Sequence, residues 1–328
     1  MILHRRHPLL LAALAGAAIL LTSCGSSNGL PSPMARSTSE SPAAAGQSDD
    51  AAGSGSGSTG PLPTVALSMG VRVVNLYLPK GSDVPTPIEV WTGPPAYGGK
   101  KLATVPYGTV SAYFAPEIGA PSGQAAPDAH ADYSLSFYAS GRTGVDQELM
   151  THGEKAATGQ KLTMVATPGD PDAIGMSLQV EVDDLGSSPE GSGFSTVSLP
   201  APPAGTALLS ISATALQYRK DGADASLTPS TTDGTCIPYL ERDTGKLHDM
   251  SSSTMEMIGG TSGHDYPMAP GSSFRLNELK DQQGIAQACA DAPAAGPFDP
   301  GLSAGQRAYA YLYGPGLASA KLLVVPVG

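Results

Sequence analysis

From about residue 61 onward, hydrophobic and polar positions alternate with a period of two. The clearest run spans Ile174 to Val182, where Ile174, Met176, Leu178, Val180 and Val182 are separated by Gly175, Ser177, Gln179 and Glu181. Successive side chains of a strand point to opposite faces, so this run predicts a strand with one buried and one wet face. Tyr133, Leu135 and Phe137 alternate likewise, and Val71 to Leu78 forms another apolar strand. Turn signals fall between the runs at Lys80-Gly81, Gly93-Pro94-Pro95, Gly98-Gly99 and Pro168-Gly169. That spacing predicts an all-β sandwich architecture. One stretch, Asn277 to Ala290, reads as the best helical segment of the chain.

The pattern also repeats. Val105-Pro106-Tyr107 recurs as Ile237-Pro238-Tyr239, and Thr158-Gly159-Gln160-Lys161 as Ala304-Gly305-Gln306-Arg307. The second pair is followed in each half by a strand and a Pro-Gly turn, Pro168-Gly169 and Pro315-Gly316. Tyr77, Gly81 and Asp83 align with Tyr218, Gly222 and Asp224 in the same order. Two domains follow, 61–186 and 200–328, joined by a Gly/Ser/Pro-rich linker at 187–199. Each is long enough to build its own core.

The residues of the first half resemble a known family. Val71-Arg72-Val73-Val74-Asn75, Ile88-Glu89-Val90-Trp91 and Val105-Pro106-Tyr107-Gly108-Thr109-Val110-Ser111-Ala112-Tyr113 are similar to the strands and corner of the bacterial and archaeal domain of unknown function 4397. The strands Tyr133–Ala139 and Gly159–Ala166 continue the likeness, and Val180–Asp184 with Pro202–Ala213 resemble the family's inter-domain joint. The second half departs from it, since Leu240-Glu241 replace the glycine and threonine after Ile237-Pro238-Tyr239. The resemblance implies two tandem immunoglobulin-like sandwiches on a secreted or surface-anchored protein. It implies no activity.

The start of the chain has a different character. Arg5 and Arg6 precede an apolar stretch from Leu9 to Leu21, which is short of the roughly 20 residues that span a bilayer. Leu21-Thr22-Ser23-Cys24 resembles the bacterial lipobox, so residues 1–23 read as a lipoprotein signal peptide. The resemblance implies cleavage before Cys24 and a diacylglyceryl thioether on its thiol, which anchors the protein to the outer face of the cell membrane. Residues 25–60 hold no aromatic side chain, and Leu30 and Met34 are their only sizeable hydrophobes. Such a segment cannot offset its ordering entropy, so residues 24–60 read as a lipidated cysteine followed by a disordered tether.

Composition narrows the function. The formal charge is −11, with 18 Lys and Arg against 29 Asp and Glu. A protein of this sign lacks the clustered cations that phosphate contacts need, so nucleic acid is excluded as a partner. It also gains no attraction to anionic lipid, which leaves the Cys24 lipid as the membrane attachment. The 40 Gly and 30 Pro, both turn formers, and a charged fraction of only 14% exclude a coiled coil and fit many short strands joined by turns.

Several residues are candidates for chemistry. Cys236 and Cys289 remain after Cys24 is lipidated, and two thiols of an exported chain are expected to pair. His130, His152, His248 and His264 show no metal-ligand spacing, and no G-x-S-x-G or S-x-x-K motif is present. No catalytic residue, metal site or cofactor is therefore assigned. Asp170-Pro171-Asp172 and Asp183-Asp184 read as solvated turn residues rather than calcium ligands. Tyr309, Tyr311 and Tyr313 alternate with Ala308, Ala310 and Leu312, and make either a packed face of a sandwich or the candidate ligand-binding row. Trp91 is expected in the first core, and Tyr107 in a structural contact with its hydroxyl bonded to backbone. Together these point to a non-enzymatic surface protein whose modules bind an envelope polysaccharide or a protein partner. An envelope hydrolase or carbohydrate-active enzyme, and a purely structural spacer, are the alternatives.

Overall fold

The computed structural model describes residues 68–79, 82, 84–117, 130–157, 159–168, 175–186, 198–216, 226–242, 244–248, 264–279, 289 and 292–328. The signal segment, Cys24, the tether and Asp170-Pro171-Asp172 lie outside them. The described residues are dominated by seventeen strands in four sheets. In the first half these are β1 Gly70–Asn75, β2 Ile88–Trp91, β3 Lys101–Val105, β4 Thr109–Val110, β5 His130–Ala139, β6 Glu148–Ala157, β7 Lys161–Pro168 and β8 Met176–Asp184. The second half holds β9 Ala207–Leu216, β10 Ser226–Thr231, β11 Tyr239–Glu241, β12 Leu247–His248 and β13 His264–Met268. It continues with β14 Phe274–Leu279, β15 Ala295–Phe298, β16 Arg307–Gly314 and β17 Lys321–Val327.

The first half forms two four-stranded sheets, ordered β4-β1-β7-β8 and β3-β2-β5-β6. They enclose one core of Val71, Val73, Ile88, Val90, Leu135, Phe137, Leu162 and Met164. The second half forms a six-stranded sheet, β12-β11-β13-β9-β16-β17, and a three-stranded one, β10-β14-β15. Leu209, Ile211, Tyr266, Phe274, Leu276, Ala308, Ala310 and Leu312 fill the space between them.

The repeat seen in the sequence has a structural counterpart. In each half the first strand pairs in parallel with a late one, β1 with β7 and β9 with β16. Each late strand then turns back antiparallel, into β8 or β17. The two entry turns match bond for bond: Gly159 (φ 80) donates to the Ser68 carbonyl, and Gly305 (φ 82) to that of Thr206. The halves diverge at the Pro-Tyr corner. β4 pairs directly with β1, whereas β13 lies between β11 and β9.

A third cluster joins the halves. Val74, Leu76 and Val165 from the first half meet Leu208, Leu240, Tyr309, Tyr311, Val325 and Val327 from the second. The outer faces of sheets β4-β1-β7-β8 and β12-β11-β13-β9-β16-β17 thus pack on each other, and Gly60–Gly328 forms one compact unit. Both central sheets are buried on both sides, which accounts for their near-continuous apolar runs. In β7, Leu162, Met164 and Ala166 enter the first core while Val165 enters the seam. Leu199, at the end of the expected linker, is also buried in this seam, and Arg307 donates to its carbonyl at 2.6 Å.

Three sequence expectations change here. The face of β8 expected to be wet is dry towards its end, where Glu181 and Asp183 lie buried beneath the second half. Of the expected helix Asn277 to Ala290, Asn277 to Leu279 instead close strand β14, because Phe274 and Leu276 alternate into the core with period two, and Cys289 is helical; residues 280–288 and 290 lie outside the described residues. Trp91 sits outside the first core: Ile88 and Val90 point in, so Glu89 and Trp91 point out.

Candidate functional site

The tyrosine row occupies the seam. Ala308, Ala310 and Leu312 face the second core, as the alternation requires, and Tyr309, Tyr311 and Tyr313 face the first half. Tyr309 and Tyr311 are each 1% exposed. The row is therefore a packing surface in this fold and offers no open platform. The Tyr309 hydroxyl donates to the Val182 carbonyl across the seam at 3.2 Å. Burial pushes the Tyr309 and Tyr311 hydroxyls well above the usual phenol range, so both stay protonated. Tyr313 meets Tyr107 edge to face at 5.4 Å. The contact expected of Tyr107 is present, but its buried hydroxyl has no hydrogen-bond partner, so the expected backbone bond is not made.

Around these rings lies a charged network. Arg72 of β1 pairs with Asp183 of β8 at 3.3 Å, and donates to the Thr163 hydroxyl at 2.8 Å and to the Pro326 carbonyl at 3.0 Å. The Thr163 and Tyr113 hydroxyls donate to the same carboxylate. Arg242, just past β11, bridges Asp265 of β13 at 2.8 Å and Glu181 of β8 at 3.3 Å, and donates to Ser210 at 2.8 Å. Burial raises the Glu181 carboxyl, and the Arg242 guanidinium only partly draws it back, so it sits above the ordinary carboxylate range. Arg242 itself is disfavoured by burial but is held firmly charged by Asp265 and Glu181. Asp183 is thus no solvated turn residue. Asp184 is exposed and accepts from the Gly186 amide at 3.0 Å.

The remaining candidates are dispersed. Cys236 and Cys289 are joined by a disulfide, their Cα atoms 5.5 Å apart. His152 packs on Tyr133, and His248 stacks on Tyr239 with centroids 4.9 Å apart. His130 and His264 hold backbone positions in β5 and β13. Among the described residues, no three His, Cys, Asp or Glu side chains converge as a metal site.

What the alternation left unremarked is the outer face of the sheet β3-β2-β5-β6. Register places Trp91 opposite Ser136 and Glu89 opposite Tyr138, with Lys101 beside Trp91 and Glu148 beside Tyr138. Because Val90 and Phe137 point into the core, these residues share the opposite surface. The Lys101 ammonium stands 5.3 Å over the Trp91 ring and donates to Glu89 at 3.0 Å, while Ser140 donates to the same carboxylate at 3.1 Å. Burial works against the Glu89 charge, but these two donors outweigh it and hold the carboxyl below its ordinary range. Thr151 donates to Glu148 at 2.6 Å. Trp91 Nε1, Ser136 Oγ and the Tyr138 hydroxyl are buried with no hydrogen-bond partner.

Tyr97 projects from the same region and is 78% exposed. Its support is stiff. Tyr97, Gly98 and Gly99 donate their amides to the Pro94, Pro95 and Pro94 carbonyls, and Thr92 and Lys100 close the loop with two further bonds. Gly98 takes φ 87, and a Cβ on Gly99 would fall 1.9 Å from the Gly93 carbonyl oxygen, so both glycines are required.

The chain matches no protein-family model and no curated protein. The surface around Trp91 therefore has to be read from its own chemistry: one displayed aromatic ring, one half-buried ring under a cation, and hydrogen-bonding groups at fixed positions. The sequence carried a signal for it. In Ile88-Glu89-Val90-Trp91 the phase of alternation assigns Trp91 to the polar side, and Pro94-Pro95 with Gly98-Gly99 bracket Tyr97 in a turn.

Proposed function

We propose that this chain is a non-enzymatic, lipid-anchored surface protein that presents two tandem immunoglobulin-like sandwiches and binds an envelope polysaccharide or a protein partner. The Leu21-Thr22-Ser23-Cys24 motif and the tether to residue 60 support the anchoring. The observation that carries the binding role is Tyr97. A large ring held 78% exposed on a rigid turn contributes little burial to the fold. Pre-organised display of an aromatic is what recognition uses, because little entropy is then lost on contact. In the seam, Glu181, Asp183 and Asp265 are each committed to a guanidinium, so the buried acids there offer no free acid–base pair for the hydrolase alternative.

Two measurements test this. Metabolic labelling with a fatty-acid probe should mark the native chain and not Cys24→Ala; equal labelling of both refutes the anchor. Photo-cross-linking in intact cells from position 97 should capture an envelope component. Cross-links to water alone would favour the structural spacer.

A further inference from the structure

We infer that the outer face of β3-β2-β5-β6 is a saccharide-binding site, with Tyr97 as the stacking ring and Trp91 at its floor; this rests on the binding role proposed above and names its ligand class. The apolar C–H face of a sugar packs on an aromatic ring, and its hydroxyls need donors and acceptors within the same few ångströms. This surface offers both. Tyr97 supplies the open ring. Lys101, whose side chain is 44% exposed, and the Thr151–Glu148 pair supply a cation, a hydroxyl and a carboxylate on the adjoining strands.

A second observation points to a ligand at the same place. Trp91 Nε1, Ser136 Oγ and the Tyr138 hydroxyl are three neighbouring donors of one sheet face, and all lack a partner. Each buried polar group left unpaired costs about 1–3 kcal/mol, so three together are an expense that the fold itself does not recover. Sugar hydroxyls are acceptors that would satisfy them. The donors are closed to bulk water in this conformation, and the side-chain rotamer changes common at binding surfaces are what would open them.

The alternative occupant, a protein, fits less well. A stable protein interface covers about 800 Å² per partner around an apolar centre. Among the described residues of this face, the exposed large apolar contribution is the Tyr97 ring, set among polar side chains. Lys101 is paired with Glu89 and Thr151 with Glu148, so the surface shows no excess of positive charge. An uncharged glycan is the ligand this balance accommodates.

Trp91 is the chain's sole tryptophan, so its fluorescence reports from this face alone. Full-length protein in detergent is titrated with cellohexaose, laminarihexaose, mannohexaose, chitohexaose and a proline decapeptide. The expected result is a saturable change in Trp91 emission with at least one saccharide, and an affinity three-fold or more weaker for Tyr97→Ala. Far-UV circular dichroism should be the same for both proteins, since Tyr97 is exposed. No response to any saccharide, a response to the proline peptide alone, or a loss smaller than three-fold overturns the inference. Co-sedimentation with isolated cell envelope separates the two claims. If Tyr97→Ala still sediments like the native chain, the saccharide site falls and the binding role stands; if the native chain does not sediment, the binding role falls.

Discussion

Replacing Arg242 with methionine probes the seam at its most exposed point of failure. Arg242 is 10% exposed in its side chain and holds Asp265, at 0%, and Glu181, at 8%. Methionine keeps much of the length and packing but removes the charge and leaves both carboxylates facing each other in a dry site. Removing one partner of a buried ion pair typically costs 3–5 kcal/mol, because the other charge is stranded. For a folded unit of this size that corresponds to a fall in Tm on the order of 10 °C. Thermal unfolding followed by circular dichroism at pH 7 and pH 5 measures it. The deficit should shrink at pH 5, where the stranded Glu181 carboxyl, already raised by burial, takes up a proton more readily. Because Glu181 and Arg242 belong to different halves, a double-mutant cycle with Glu181→Gln should show coupling of about 0.5–3 kcal/mol. A loss below about 1 kcal/mol at pH 7, or a deficit equal at both pH values, refutes the reasoning. Zero coupling would mean that the halves do not meet through this pair in solution.

Other outcomes follow from the same geometry. Glu181 has its pKa raised on folding, so its contribution favours the folded state below the unfolded value of 4.5 and is lost as pH rises through the folded value; Glu181→Gln should remove that part of the pH dependence, seen as a flatter Tm-versus-pH curve above pH 4.5. Tyr311 is buried with an unpartnered hydroxyl, so Tyr311→Phe should be neutral or stabilising in urea unfolding, while Tyr311→Ala should cost about 3–5 kcal/mol. Gly108 takes φ 72, and a Cβ there would lie 2.7 Å from the Tyr313 hydroxyl oxygen. Gly108→Ala should therefore destabilise by roughly 1–3 kcal/mol, and a Tm within 1 °C of native would contradict the close approach.

The strands, the duplication and the cysteine pair were legible in the sequence because each is written locally or by repetition. Gly159 and Gly305 show this well: a recurring Gly-Gln tetrapeptide marked two turns of the same handedness and bonding. What alternation cannot express is a sheet buried on both faces. Glu181 and Asp183 look like wet positions of β8 until a second half covers them, and the arginines that neutralise them lie far along the chain. Alternation puts the tyrosine row on one side of its strand, yet what faces that side is decided by tertiary packing. Trp91 lies outside the core for a different reason, since large aromatics favour cores on average and here the strand's phase overrides that preference.

The seam has a consequence for heredity and for dissection of the molecule. Tandem repeats usually behave as beads that can be copied, lost or reshuffled one at a time. Either half taken alone would bare Val74, Val165, Tyr309 and Tyr311 and would separate Glu181 from Arg242. A cut at the Gly- and Ser-rich joint therefore does not release two independent modules. The two halves are therefore expected to fold and to be transferable only as a pair, through the seam that they share.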